Sequence, residues 1–152
     1  MSLQTDTIFI RALNESSDIT AIVDYRIYST AIPLPDEDAD NVDVPYLIVA
    51  YDGMNNIDQT KDSEYESDTD QVTIGVTVVA ATRQALAELS QLVRQATRQY
   101  FADMEDSDED YHLVPIDYTL SASAVQYDGD KPCYWQTLNY QCETNTDNYE
   151  QS

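Results

Sequence analysis

The side chains of this sequence that could do chemistry are few in kind. There is one histidine, His112, and there are two cysteines, Cys133 and Cys142. A histidine beside carboxylates can serve as a general base, and His112 follows the acidic block 103–110. No nucleophile accompanies it, neither a Gly-x-Ser-x-Gly turn nor an activated cysteine. The three glycines, Gly53, Gly75 and Gly129, are too scattered to cradle a phosphate. His112 therefore reads as a solvated loop residue, and the chain reads as no enzyme. Cys133 and Cys142 are nine apart within one predicted strand. That odd separation puts them on opposite faces, where they cannot bridge. Zinc would need more ligands than one His and a sequence without Cys-x-x-Cys supplies. Two reduced thiols, no bound metal and no cofactor are the expectation.

Calcium is the stronger temptation. Asp36-x-Asp38-x-Asp40 and Asp106-x-Asp108-x-Asp110 both alternate acids. An EF-hand loop needs Gly at its sixth position and Glu at its twelfth. The first run offers Asn41 and Leu47 there, and the second offers Tyr111 and Asp117. Neither is a formed EF-hand, so loose association with divalent cations is the most these runs offer.

The elements that must carry these residues follow from periodicity. Residues 3–14 predict a helix, because Ile8 with Ala12 and Phe9 with Leu13 repeat four apart; Ser2 is its expected N-cap. Ser16-Ser17-Asp18 punctuates the chain, and residues 19–23 predict a single turn packed on the core. Arg26 to Thr30 alternates as a short strand. Three prolines and five acids make 32–45 a loop, and Pro45 opens a strand to Tyr51 that Asp52-Gly53 ends. Residues 54–68 form a long polar connection, of the kind that is usually functional or mobile. Thr69 to Ala80 is the clearest strand, with Val72, Ile74, Val76 and Val78 on one face and Thr73, Gly75 and Thr77 on the other. Thr82 caps the main helix, which runs to about Ala102. Its stripe is Leu86, Leu89, Val93, Ala96 and Tyr100, and Arg94 and Arg98 sit in the half where the helix dipole favours cations. Residues 116–127 and 133–142 pair as a hairpin about Asp128-Gly129-Asp130. The fold class is α+β, a mainly antiparallel β-sheet with two α-helices packed on one face. Residues 1–142 make one domain, and 143–152 a polar, flexible tail.

Charge narrows the function. Seven Lys+Arg against 29 Asp+Glu give a formal net charge of −22. Binding to duplex DNA rests on cations that neutralise phosphates, and docking on anionic lipid rests on the same residues, so the charge argues against both roles. No apolar run approaches the roughly 18 to 20 residues of a spanning helix. Met1 to Asp6 has neither the basic patch nor the apolar core of a secretion signal. A soluble acidic protein of a cytoplasm is expected. The acids concentrate in connections: five in 36–43, seven in 52–70 and six in 103–110. Such a surface can face a polyanion without holding it.

The order of parts resembles a known family. A short N-terminal helix, a polar turn and a brief apolar segment lead to Arg26-Ile27-Tyr28. A proline-containing loop leads to Val44-Pro45-Tyr46-Leu47-Ile48-Val49. A long loop then precedes the strand Gln71–Ala80 and the helix from Ala85-Leu86-Ala87-Glu88-Leu89 to Tyr100. Over roughly residues 3–142 this is similar to the tail-terminator, or tail-completion, proteins of long-tailed bacteriophages and prophages. The resemblance implies an α+β subunit of a ring, a hexamer in that family, built in the bacterial host cytoplasm and carried in the virion. Its partners would be itself, the tail-tube protein and the head-side connector protein, with DNA passing through unbound. Residues 54–68, with Asp58, Lys61, Glu64, Tyr65 and Glu66, would touch a neighbouring subunit or the tube. Asp36, Asp38, Asp40, Asp106, Asp108 and Asp110 would line the lumen or the loop surface. A neck or head-closure connector would be built from similar parts. A DNA-mimic inhibitor is the reading from another class; it calls for acids at regular spacing on rigid elements, whereas here most lie in loops. The acidity also implies that ring formation strengthens with salt, as the screening length falls from about 30 Å at 0.01 M to about 10 Å at 0.1 M.

Overall fold

The computed structural model describes residues 5–29, 44–56, 69–105, 117–129 and 132–145. In chain order the elements are α1 (Thr5–Asn14), α2 (Ser17–Val23), β1 (Ile27–Ser29), β2 (Tyr46–Asn56), β3 (Thr69–Ala80), α3 (Arg83–Glu105), β4 (Asp117–Ala122), β5 (Gln126–Asp128) and β6 (Cys133–Asn145). The six strands form one sheet in the order β1-β2-β3-β6-β4, and β5 pairs with β6 beside β4. Only β1 and β2 run parallel; the other pairings are antiparallel. The fold is α+β, as the sequence pattern implies.

The alternation of β3 sets the layers. Val72, Ile74, Val76, Val78 and Ala80 are fully buried and stand in register with Cys142, Tyr140, Leu138, Gln136 and Tyr134 of β6. Leu47 and Val49 of β2 extend the same face. Against it pack Ile8, Phe9 and Leu13 of α1, Ile19 and Val23 of α2, and Leu86, Leu89 and Val93 of α3. An aromatic cluster closes the layer: Phe9 meets Phe101 and Tyr140 edge-on, with ring centroids 5.2 and 4.7 Å apart, and Tyr118 touches both of those rings. Edge-to-face pairing places the positive ring edge on the negative face, which favours it over a stacked sandwich.

Several local expectations change, each for a visible reason. A third helix replaces the predicted single turn. Ser16 caps α2 by accepting the Ile19 N–H, and Asp24 closes it in the left-handed region at φ 50°, donating its N–H to the Thr20 carbonyl. β2 does not end at Asp52-Gly53. A bulge between Tyr51 and Gly53, with Gly53 at φ +134°, absorbs one residue, and the strand continues to Asn56. Few residues other than glycine adopt that φ. The predicted strand 116–127 is two strands, because Ser123 interrupts the ladder. Its Oγ accepts the Thr137 N–H at 3.0 Å, and its own N–H donates to the Thr137 carbonyl. β6 runs past residue 142 to Asn145, where it pairs with Thr69, so residues 143–145 belong to the sheet. Finally, the buried stripe of α3 continues through Thr97 and Phe101, while Ala96 and Tyr100 are only half-buried. Steps of three and four average 3.5 residues, whereas a straight helix turns every 3.6, so a strict heptad stripe drifts off the core face.

Thr82 does cap α3, accepting the Ala85 N–H on its Oγ1 at 3.1 Å. Both cysteines are buried and unbridged; Cys142 faces the helices and Cys133, nine residues earlier, the opposite side. The proposed cap Ser2, residues 57–68, His112 and residues 146–152 lie outside the described residues.

Candidate interaction surfaces

Among the described residues three surfaces stand out, with a further groove beside them. The first is the side of the sheet opposite the helices, where the alternate residues of each strand project. Thr73 and Thr77 of β3, Thr137, Asn139 and Gln141 of β6, and Thr119 and Ser121 of β4 give it short, neutral, polar side chains. Thr77 and Thr137 share a hydrogen bond of 2.9 Å between their hydroxyls, the kind of cross-strand pair that fixes register. Toward one end the face turns apolar: Tyr46, Val79 and Trp135 lie opposite one another on adjacent strands, and Tyr28 meets Tyr46 at 6.1 Å. These neighbours leave Val79 only 4% exposed although no helix of the described residues covers it. Midway along the strands Asp52, the bulged residue, lays its carboxylate over Gly75. A Cβ at Gly75 would stand 2.9 Å from Asp52 Oδ2, so the close approach requires glycine unless that side chain moves. The charged residues described on this face are Asp52, Asp128 and Glu143, with no cation among them.

The second surface is a groove of about 320 Å³ along the β4 edge of the sheet. α3 covers β3 and β6, and β4 projects beyond it, so Tyr118 and Leu120 form a half-buried floor with Tyr140. Arg94 and Arg98, both exposed and one helical turn apart, make the wall. Among the described residues neither arginine has an ion-pair partner. The groove base is firm. Thr97 Oγ1 lies 3.1 Å from the carbonyls of Val93 and Arg94 and 2.9 Å from Tyr140 Oη. Since a carbonyl only accepts, a Thr97 hydroxyl that donates there must receive the Tyr140 proton. Burial pushes the Tyr140 phenol up to about 12, against the pull of the Thr97 hydrogen bond and of Arg94. Burial likewise pushes the neighbouring Cys142 thiol up to about 12, which makes it unreactive.

The third surface is the corner between α2 and β1. Asp24 and Tyr25 are consecutive non-glycine residues at positive φ, 50° and 64°. For an aromatic residue that backbone is unusual, and it turns the Tyr25 ring outward, 68% exposed, near Ile22 at 41%. Arg26 anchors the corner, its Nε donating to the Pro45 carbonyl at 3.1 Å and its carbonyl accepting the Leu47 N–H. A shallower groove of about 770 Å³ also runs between the α1–α2 turn and α3, edged by Glu15, Asp18, Arg98 and Asp103.

The residues singled out in the sequence do not build these surfaces. Asp58, Lys61, Glu64, Tyr65 and Glu66, and Asp36, Asp38, Asp40, Asp106, Asp108 and Asp110, all lie outside the described residues. Among the described residues no cluster of three or more His, Cys, Asp or Glu is placed to hold a metal ion, and no helix is long and apolar enough to cross a membrane. What the sequence reading missed is the groove. Arg94 and Arg98 look there like partners of the helix dipole. Their i, i+4 spacing off the buried stripe was the available signal.

No protein-family profile and no curated protein sequence matches the chain. Its fold does match solved structures. One is a chain of a particle described as the virion of a native gene transfer agent, with a TM-score of 0.58 and 11% identity, covering 93% of this chain and 94% of that one. At that identity the likeness is one of fold, and it extends over nearly the whole of both chains.

Proposed function

We propose that this protein is a structural component of a phage-like virion, and within it a tail terminator: a ring that caps the tail tube, ends its polymerisation and offers a surface to the head-side connector. The observation that carries the reading is the end-to-end fold match to a chain of a gene transfer agent virion. The order of elements, similar to tail-terminator proteins, supports the finer assignment. Two physical features agree with it. The helix-free sheet face carries neutral polar groups and carboxylates but no described cation, which suits a wall past which DNA moves without sticking. The net charge of −22 has the same sense. The role needs no catalytic group, and the chain would act by shape and contact alone.

The test is a tube-length assay. Tail-tube protein is allowed to polymerise with and without this chain, and the tubes are measured by electron microscopy. Shorter tubes with one blunt, capped end support the terminator. Unchanged tubes together with binding to the head-side connector would assign the chain to the neck instead, and binding to neither would overturn the virion role. Shortening the segment 57–68 to a tight turn should leave the monomer folded and impair capping.

A further inference from the structure

The second and third surfaces stand at opposite edges of the sheet. β1 is the first strand in spatial order and β4 the last. Tyr25 is two residues before β1, whereas Tyr118 and Leu120 belong to β4. Four strand spacings of about 4.8 Å separate the edges, roughly 19 Å. The two surfaces are opposite in form, and the exposed charges they present are opposite in sign. The β1 edge presents a projecting corner, Ile22 and Tyr25 beside the exposed carboxylate of Asp24. The β4 edge presents a recess floored by Tyr118, Leu120 and Tyr140 and walled by two arginines with no described carboxylate partner. In a chain of net charge −22, these are two of only seven cations.

We infer that the corner Ile22–Asp24–Tyr25 of one copy seats in the Arg94–Arg98 groove of the next. The inference rests on the ring reading and names its subunit contact. A contact between two different patches at opposite edges is heterologous, and such contacts generate closed rings when the rotation closes. The chemistry is complementary at each point. The Tyr25 ring covers the aromatic and aliphatic floor, and the Asp24 carboxylate meets the guanidinium pair, where charge-assisted hydrogen bonds are stronger than neutral ones. Arginine suits this place because its planar fork can grip a carboxylate while stacking on an aromatic ring. The left-handed backbone at Asp24 and Tyr25 keeps the corner projecting, so little order is lost on docking.

The experiment is sedimentation velocity on the full chain over a concentration series at 0.1 M salt, with four variants. Arg94→Glu/Arg98→Glu, which touches only exposed groups, should raise the concentration for half-assembly by at least about tenfold. Asp24→Arg alone should weaken assembly in the same direction. The combined Asp24→Arg/Arg94→Glu/Arg98→Glu chain should recover most of the loss, since the charges are exchanged across the contact. Tyr25→Gly suits the left-handed backbone and should melt no earlier than the unchanged chain, yet assemble more weakly. Reversals that leave assembly untouched would overturn the contact while the ring reading stands. Loss in the groove variant without recovery in the combined chain would overturn the corner as occupant. Intact assembly with lost tube binding would assign the groove to another virion protein. An unchanged chain that stays monomeric at every concentration would overturn the contact and the ring together.

Discussion

The two faces of the one sheet are encoded by the same strands and behave as different materials. Along β3, Val72, Ile74, Val76 and Val78 point at the helices and are fully buried, while Thr73, Gly75, Thr77 and Val79 point the other way. β6 repeats the division, with Leu138, Tyr140 and Cys142 inward and Thr137, Asn139 and Gln141 outward. The covered face holds the fold together through apolar burial, worth about 25 cal/mol per Å² removed from water. The bare face contributes little of that and is available for contacts between molecules. Period-two alternation thus separates the face that holds the fold together from one that contributes less to it, and the stability cost of substitutions should sort by face.

The sharpest break belongs to the covered face. Phe9→Ala, at the centre of the aromatic cluster, should destabilise the chain by about 3–5 kcal/mol, and Leu89→Ala by about 2–5 kcal/mol. Urea denaturation measures both; near-neutral values would show that the helices do not anchor on this face. The Thr97–Tyr140 pair sharpens the comparison by asking what a polar contact inside the covered layer is worth. Thr97→Val should cost about 1–3 kcal/mol, because it takes the partner from the buried Tyr140 hydroxyl, and Tyr140→Phe about 0.5–1.5 kcal/mol, because the Thr97 hydroxyl keeps its carbonyl acceptors. The double variant should cost less than the sum of the two.

Alkali probes the same layer. Tyr140 and Cys142 titrate near 12 in the folded chain, above their ordinary values of 10.0 and 9.0. The unfolded chain therefore releases these protons first. The stability they represent is whole below pH 9 and falls as pH rises toward 12, by up to about 1.4 kcal/mol per pH unit for each group. Thermal melting of Tyr140→Phe should lose part of that slope, and an unchanged slope would mean the phenol is not sequestered. The smallest effect belongs to the bare face. Thr137→Val removes one half-exposed hydroxyl bond and should change stability by about 1 kcal/mol or less. A loss as large as that of Leu89→Ala would show that something covers this face.

Much of this was legible because burial leaves a periodic trace. The β3 alternation, the Thr82 cap and the Ile8–Ala12 and Phe9–Leu13 stripe are local signals, and the structure has them where the pattern put them. The departures come from tertiary contacts with no local trace. The Ser123 side chain breaks a strand through a partner fourteen residues away, and Gly53 reads as a strand end when it is a bulge. Thr97 is absent from the predicted stripe of α3, and its burial goes with a hydrogen bond to Tyr140 of β6. The candidate sites were the least legible part. Acidic runs stand out by composition alone. The groove and the corner are made of common residue types, and only the order of the strands reveals that they lie at opposite edges.

Electron micrographs of the purified chain alone, at 0.1 M salt and sorted into class averages, test the central claim most directly. The account predicts closed rings with an open lumen, six-fold by resemblance to tail terminators, each subunit joined to the next by unlike edges. A field of separate 17.2 kDa particles that persists as concentration and salt are raised would contradict it.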